Sequence, residues 1–410
     1  MWNTYSAGEL NALLHLPDLV CLRVGLYDKV QKFLLEKMLW RNNADPSPVY
    51  ENIERFGLHA EDGSYWDIDF KYKSFTVNME TACDGSAFAC RLTPAEGSRE
   101  QIVFFITATI LGQKKGVIAL TDTGFTITTV AGRYDIAIQG EREPETIVNA
   151  SIQGVVIKAS TPVTLTCNLS PSENGMALIA SNREKCLKQR SASSGFLDDV
   201  ADAIQKAMIW NTIYDASKDR LCIPVSRAWC AQNGRSFGSY VLFEWDTFFT
   251  SVMTAFYSPE SARMQVASIF DEMTPDGMIP NFGSQRGGSP DRSQPPVGSY
   301  CLLKLYRQTG DVDLLKTYYP KLCIWHRWWF KNRDGNADGL LEWGSNPNPD
   351  GLARGFFDEG NTMLCAMYES GLDNSPMYDD VVFNTETHTM ELNDIGLNAL
   401  YALDCKCLAD

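Results

Sequence analysis

The alternation of apolar and polar positions changes character along the chain. Residues 19–27, Leu-Val-Cys-Leu-Arg-Val-Gly-Leu-Tyr, and several segments between about 65 and 170 are short runs rich in β-branched and aromatic residues, the composition of strands. The clearest are Ile102–Ile110, Thr126–Val130, Tyr134–Gln139, Gly154–Ala159 and Pro162–Asn168. Turn formers separate them, at Asp122-Thr-Gly124, Ala131-Gly-Arg133, Gly140 and Asn174-Gly175. Short strands at this spacing predict an antiparallel β-sandwich.

From about residue 196 the period becomes helical. Asp246 is placed to cap a helix running to Phe256, Pro259 opens a second, and Pro295-Pro296 opens a third that ends near Gly310. Asp311 then caps a long helix to about Lys331, with Leu314, Leu315, Leu322, Trp325, Trp328 and Trp329 on its apolar face. Two further helices are expected around Gly360–Glu369 and Glu391–Leu408. Long Gly-, Asn- and Pro-rich loops lie between them, at 273–295, 332–359 and 371–390. Loops of that length in a compact domain usually carry function. Successive helices with alternate long loops predict an α/α toroid whose loops gather at one end as a cleft.

The chain therefore divides into a sandwich domain over 1–172, a linker helix region over 173–200 and a helical domain over 201–410, an α+β multidomain protein. Hydrophobic residues at 44% and charged residues at 21% fit a globular chain without long disordered tracts. The net charge of −15, with no basic stripe, argues against nucleic acid and anionic membrane surfaces as partners. No apolar run approaches the roughly 20 residues of a membrane span. The start, Met1-Trp2-Asn3-Thr4-Tyr5-Ser6, lacks a secretory n-region, which points to the cytoplasm. Twelve scattered cysteines are read as reduced, mostly core thiols.

Three constellations carry candidate chemistry. In Glu369-Ser-Gly-Leu-Asp373-Asn-Ser-Pro376, Gly371 can turn the chain at a helix end and aim Asp373 into a cleft, although an Asp at such a junction is also a common helix cap. In Asn332 to Glu342, the side-chain oxygens of Asp334, Asn336 and Asp338 alternate ahead of Gly339, as in the first half of a calcium loop. The twelfth position is Ser345 rather than Glu, so this is no EF-hand, and Glu342 is the candidate for the remaining carboxylate; the alternative is a solvated turn. The third group places rings beside carboxylate, amide and guanidinium groups: Phe243-Glu-Trp245-Asp246, Ile279-Pro-Asn281-Phe282, Asp291-Arg292-Ser-Gln294-Pro-Pro296 and Glu342-Trp343-Gly-Ser345. Such pairs suit a sugar, whose C–H faces stack on rings while its hydroxyls need polar partners. The four histidines form no zinc-ligand pattern, and there is no GxSxG, P-loop or GxGxxG signature.

Together these strings resemble glycoside hydrolase family 63. The matching stretches are Trp210–Asp215, Val225–Arg227, Tyr240–Phe249, Ile279–Phe282, Asp291–Gly298, Glu342–Ser345 and Glu369–Pro376, in family order over about half the chain. The resemblance implies an (α/α)6 barrel, incomplete in this chain, after a β-sandwich. It also implies hydrolysis of α-linked glucosides or mannosides with inversion, the substrate being an oligosaccharide or small glycoside. Asp373 matches the general acid of the family's SGLD[DN]xP string. Trp245, Asp246, Asn281, Phe282, Asp291, Arg292, Gln294 and Trp343 match sugar-site positions, and Asp334, Asn336, Asp338 and Glu342 match a structural calcium loop. Met377 stands where the family often has Arg. The resemblance places the catalytic base beyond residue 410, since Glu386 and Glu391 follow Asp373 too closely; on that reading residues 1–410 alone do not turn over glycosides. The rival readings are a glycan-binding or degenerate family member without a base, and another (α/α)6 glycosidase of trehalase or glucoamylase type.

Overall fold

The computed structural model describes residues 1–41, 49–95, 101–143, 153–169, 174–191, 194–230, 240–285, 287–348 and 360–410. Residues 286 and 349–359 of the expected loops therefore lie outside the described residues. The chain forms two compact units, one built from Met1–Ala216 with a short return that includes Cys230, the other from Ser217–Trp229 and Phe237–Asp410.

The first unit contains two large antiparallel sheets. One runs Trp2–Asn3, Ala12–His15, Val20–Asp28, Ile102–Ile110 and Gly154–Lys158 in spatial order, with Phe33–Leu35 paired to Val20–Asp28. The other runs Gly116–Leu120, Gly124–Thr129, Arg133–Gln139, Val163–Cys167, Ala87–Pro94, Phe75–Asp84, Tyr65–Tyr72 and Ile53–His59. Register sets which residues turn inward. Phe104 lies opposite Leu26 and Ile106 opposite Val24, so the large side chains of the two strands share one face. Val24, Leu26, Phe104 and Ile106 meet Ile68, Phe70, Met79 and Leu165 of the other sheet in a single core. Each such side chain contributes about 1.5–3 kcal/mol of burial.

Two helices complete this unit. Helix α1 (Gly175–Lys188) starts at Asn174, whose side chain accepts from the Met176 amide. It buries Ile179 and Cys186 with Tyr65, Ala82 and Ala89, and Asn182 donates to the Ser64 and Cys83 carbonyls at 3.0 Å each. Helix α2 (Val200–Asn211) contributes Trp210 to the sheet core, where its indole N–H donates to the Gly57 carbonyl at 3.0 Å. Helices α1 and α2 thus pack on the sheets rather than standing apart as a linker, and the second unit begins at Ser217 rather than 201.

The second unit holds helices α3 (Glu244–Thr254), α4 (Pro259–Phe270), α5 (Gly298–Thr309), α6 (Val312–Arg333), α7 (Met363–Ser370) and α8 (Ile395–Ala409). Their starts follow local chemistry. Ser258 accepts from the Ser261 amide, Asp311 from Leu314, Thr362 from Cys365 and Asp394 from Leu397. Helix α5 ends on Gly310 and α7 on Gly371, both left-handed, with φ of 71° and 69°. Along α6, Leu314, Leu322, Trp325, Trp328 and Trp329 are buried, and Phe248 of α3 stacks on Trp325 at 6.0 Å. No helix among the described residues is long and apolar enough to cross a membrane.

Candidate active site

The turn after α7 carries Asp373. The Gly371 amide closes it on the Tyr368 carbonyl at 3.2 Å, and the Ser375 amide bonds the Leu372 carbonyl at 2.9 Å. A Cβ at Gly371 would stand 2.6 Å from the ring of Trp245, so the indole lies directly against the bare glycine backbone. This close approach brings α3 and the Asp373 turn together. Asp373 itself is exposed. Its carboxyl is nonetheless raised above the ordinary aspartate range by partial desolvation, against an opposing pull from its own backbone amide and the Arg292 guanidinium.

Asp246 does not cap α3. The helix starts two residues earlier, at Glu244, because tertiary acceptors take over the capping: the Glu244 amide donates to the Asn281 carbonyl at 3.1 Å and the Trp245 amide to the Gln294 side chain at 3.3 Å. Asp246 sits half-buried in the first turn, its carboxyl raised by desolvation. Glu244 is wholly buried, with neither carboxylate oxygen hydrogen-bonded among the described residues. Burial, with Asp246 and Asp404 adding repulsion, pushes its carboxyl well up.

The other sugar-site candidates lie underneath. Asn281, Phe282, Asp291, Arg292, Gln294 and Trp343 are each at most 4% exposed. Asn281 donates to the Tyr368 carbonyl at 3.0 Å, and Arg292 Nη1 lies 3.0 Å from each Asp291 carboxylate oxygen with its guanidinium 5.1 Å from the Tyr368 ring. Ser345 donates to Asp291 at 2.6 Å, and Trp343 packs edge-on against Trp329 at 6.0 Å. Asp373 is exposed and Trp245 and Asp246 partly so, while the buried Asn281 and Gln294 hold the backbone beside them through the Glu244 and Trp245 amides and the Tyr368 carbonyl.

Beside these residues lies a pair to which the sequence motifs assign no role. Arg333, the last residue of α6, and Glu369 of α7 are both fully buried and joined by two hydrogen bonds, Nε to Oε2 at 2.6 Å and Nη2 to Oε1 at 2.8 Å. The sequence does carry a signal for them: Arg333 follows Trp329 by four positions and Glu369 follows Cys365 by four, so each puts a charge on a buried helix face.

The acidic loop after α6 gathers Asp334, Asp338 and Glu342, with one carboxylate oxygen of each within 4.8 Å of the others. Glu342 Oε2 accepts from the Gly335 amide at 2.8 Å, while its buried Oε1 has no hydrogen-bond partner among the described residues. Desolvation and repulsion from Asp338 and Asp334 push the Glu342 carboxyl up to about 7. Asn336 faces Asp338, its amide nitrogen 3.0 Å from Oδ2. Three converging carboxylates, one with an orphaned buried oxygen, fit a hard divalent cation.

Residues 239–408 match the family model described as the mannosylglycerate hydrolase MGH1-like glycoside hydrolase domain. Among curated proteins, mannosylglycerate hydrolase MGH1 of Selaginella moellendorffii is 25% identical over 162 residues, covering 34% of this chain and 29% of its own length. The mannosylglycerate hydrolase of Thermus thermophilus is 26% identical over 159 residues, 33% of each chain. The chain thus spans about a third of the length of these relatives. Among solved structures, a family 63 mannosylglycerate hydrolase from Thermus thermophilus, in complex with Tris and D-glycerate, aligns at 26% identity over 34% of this chain and 32% of that chain, with a TM-score of 0.27. A bacterial glucoamylase complexed with acarbose aligns at 11% identity over 80% and 66%, with a TM-score of 0.37. The motifs from Tyr240 to Pro376 fall inside the matched region, so the likeness to the mannosylglycerate hydrolase MGH1-like glycoside hydrolase domain is carried by residues 239–408.

Proposed function

We propose that the helical unit belongs to an inverting glycosidase acting on α-linked mannosides or glucosides, with Asp373 as the general acid. The observation that carries this is the Asp373 turn, an exposed carboxyl with a raised protonation midpoint, seated beside the Trp245 ring. A carboxylic acid must hold its proton near neutrality to give it to a leaving oxygen, and desolvation acts in that direction. The Trp245 ring offers a flat apolar surface for one face of the sugar, and Asp246 a carboxyl for its hydroxyls.

Inversion needs a second carboxylate on the opposite sugar face, roughly 6.5–9.5 Å from the first, with water between them. Glu386 lies in the turn of a short hairpin, Phe383–Asn384 with Thr389–Met390, and Glu391 follows its second strand, accepting from Asn384 at 3.3 Å. We assign the base to neither.

The acidic loop would hold calcium through Asp334, Asp338 and Glu342, with Asn336 beside them. The ion would neutralise three carboxylates and stiffen the segment that leads into Trp343.

Because the matched relatives are mannosylglycerate hydrolases, mannosylglycerate is the first substrate to assay, followed by α-mannosides and α-glucosides. In the protein extended through any residues past Asp410, NMR of the first-formed sugar should show the inverted anomer. Retention of configuration, or no turnover on any of the three, would remove this reading.

A further inference from the structure

The Glu369 carboxylate collects four donors. Oε1 accepts from the Ser293 amide at 2.9 Å and Arg333 Nη2 at 2.8 Å; Oε2 accepts from Arg333 Nε at 2.6 Å and the Gly344 amide at 2.6 Å. Arg333 reaches onward, donating from Nη1 to Asn346 Oδ1 at 2.8 Å and from Nη2 to the Asp291 carbonyl at 3.3 Å. One buried ion pair therefore ties together the loop of Asp291, Arg292 and Ser293, the loop of Trp343 and Gly344, and the last turn of α7. Asp373 stands four residues beyond Glu369, and Arg292 is one residue from Ser293.

A buried pair of this kind is weak evidence for net stability, because desolvating two charges offsets most of their attraction. Its distinctive property here is where its hydrogen bonds end. Two of the Glu369 donors are backbone amides on separate loops, which a surface salt bridge would not immobilise. Ser345, next in sequence, adds a second tie to the same loop through the Asp291 carboxylate.

We propose that Glu369 and Arg333 are positioning residues for the acid, holding Arg292 and the Gly371 turn in a fixed relation so that Asp373 keeps one orientation and one electrostatic surrounding. The inference rests on the assignment of Asp373 above, but its test does not require turnover. The charged group that acts on Asp373 is Arg292, itself paired with Asp291 and packed on Tyr368. Arg292 acts to lower the carboxyl's midpoint, so moving its guanidinium away would let the midpoint rise.

The experiment is a carbon-13 NMR titration of Asp373 in aspartate-labelled protein, its resonance assigned by difference against Asp373→Asn. Glu369→Gln keeps the side-chain shape but exchanges one acceptor oxygen for a donor facing Arg333 or an amide. Losing the Glu369 charge and freeing that of Arg333 both act to lower the Asp373 midpoint, so the expected rise of about half a unit or more reports displacement of Arg292. Ser345→Ala, which leaves the ion pair in place and removes the hydroxyl's bonds to Asp291 and to the Asn361 amide, should raise it by less and stands in if Glu369→Gln fails to fold. A midpoint unchanged or lowered in a folded Glu369→Gln, or unchanged in Ser345→Ala where that variant stands in, would overturn the positioning role. Undiminished turnover of mannosylglycerate in Asp373→Asn would bear instead on the assignment of Asp373.

Discussion

Replacing Gly371 with alanine tests how the acid's turn is seated. Two glycines of the helical unit end helices with nearly the same geometry, Gly310 at φ 71° and Gly371 at φ 69°. Alanine at either position incurs the left-handed backbone penalty, about 1–2 kcal/mol. Their surroundings differ. A Cβ at Gly310 meets nothing within 4 Å, whereas at Gly371 it would lie 2.6 Å from Trp245 Cζ2 and 2.8 Å from Cη2. The indole must move, and such overpacking costs typically about 1–3 kcal/mol more. Urea unfolding should therefore show Gly310→Ala destabilised by about 1–2 kcal/mol and Gly371→Ala by a further ~1–3 kcal/mol, with m-values unchanged. The displaced ring should also alter tryptophan fluorescence only in Gly371→Ala, and sugar affinity should fall there alone. Equal costs in the two variants, with Trp245 fluorescence undisturbed, would refute the contact between Trp245 and the turn.

Calcium added to metal-free protein should raise the melting temperature, and a chelator should lower it again, because an ion bound only by the folded state stabilises by mass action. Without metal, the Glu342 midpoint near 7 means the unfolded chain loses its proton first, so this contribution to stability is lost as pH rises from about 4.5 to about 7. Calcium should flatten that dependence, and a melting curve indifferent to both chelator and calcium would exclude the site. Glu244, buried and raised with no hydrogen-bond partner among the described residues, has the same sign. Its stabilising effect is full below the ordinary glutamate range and declines as pH rises, so Glu244→Gln should be more stable than wild type at pH 8 and lose that advantage near pH 4. An advantage that instead grows towards pH 4 would show that the carboxylate has a partner.

What is legible in the sequence is what local chemistry decides. Asp311, Pro259 and Gly310 mark helix ends through their own side chains or their own backbone freedom, and the structure places ends there. Ile102–Ile110 reads as a strand because its β-branched and aromatic run leaves no competing period, and it is one. Asp246 misleads because α3 is capped by Asn281 and Gln294, residues distant in sequence. Helix α1 reads as a linker because it buries little beyond Ile179, Asn182 and Cys186, too sparse a stripe to announce a packed helix. Asp373, Trp245 and the acidic loop are legible as motifs. The Arg333–Glu369 pair is not, since a buried ion pair is a fact of tertiary packing, visible beforehand only as two charges on apolar faces.

The most direct measurement is the leaving-group dependence of Asp373→Ala, made in the protein extended through any residues past Asp410. A glycosyl fluoride needs no proton to depart, whereas the alkoxide of mannosylglycerate does. Turnover of mannosylglycerate should fall by about 10²- to 10⁴-fold while turnover of the α-glycosyl fluoride stays near wild type. An equal loss on both substrates, or no loss on mannosylglycerate, would contradict the assignment of Asp373 as the acid.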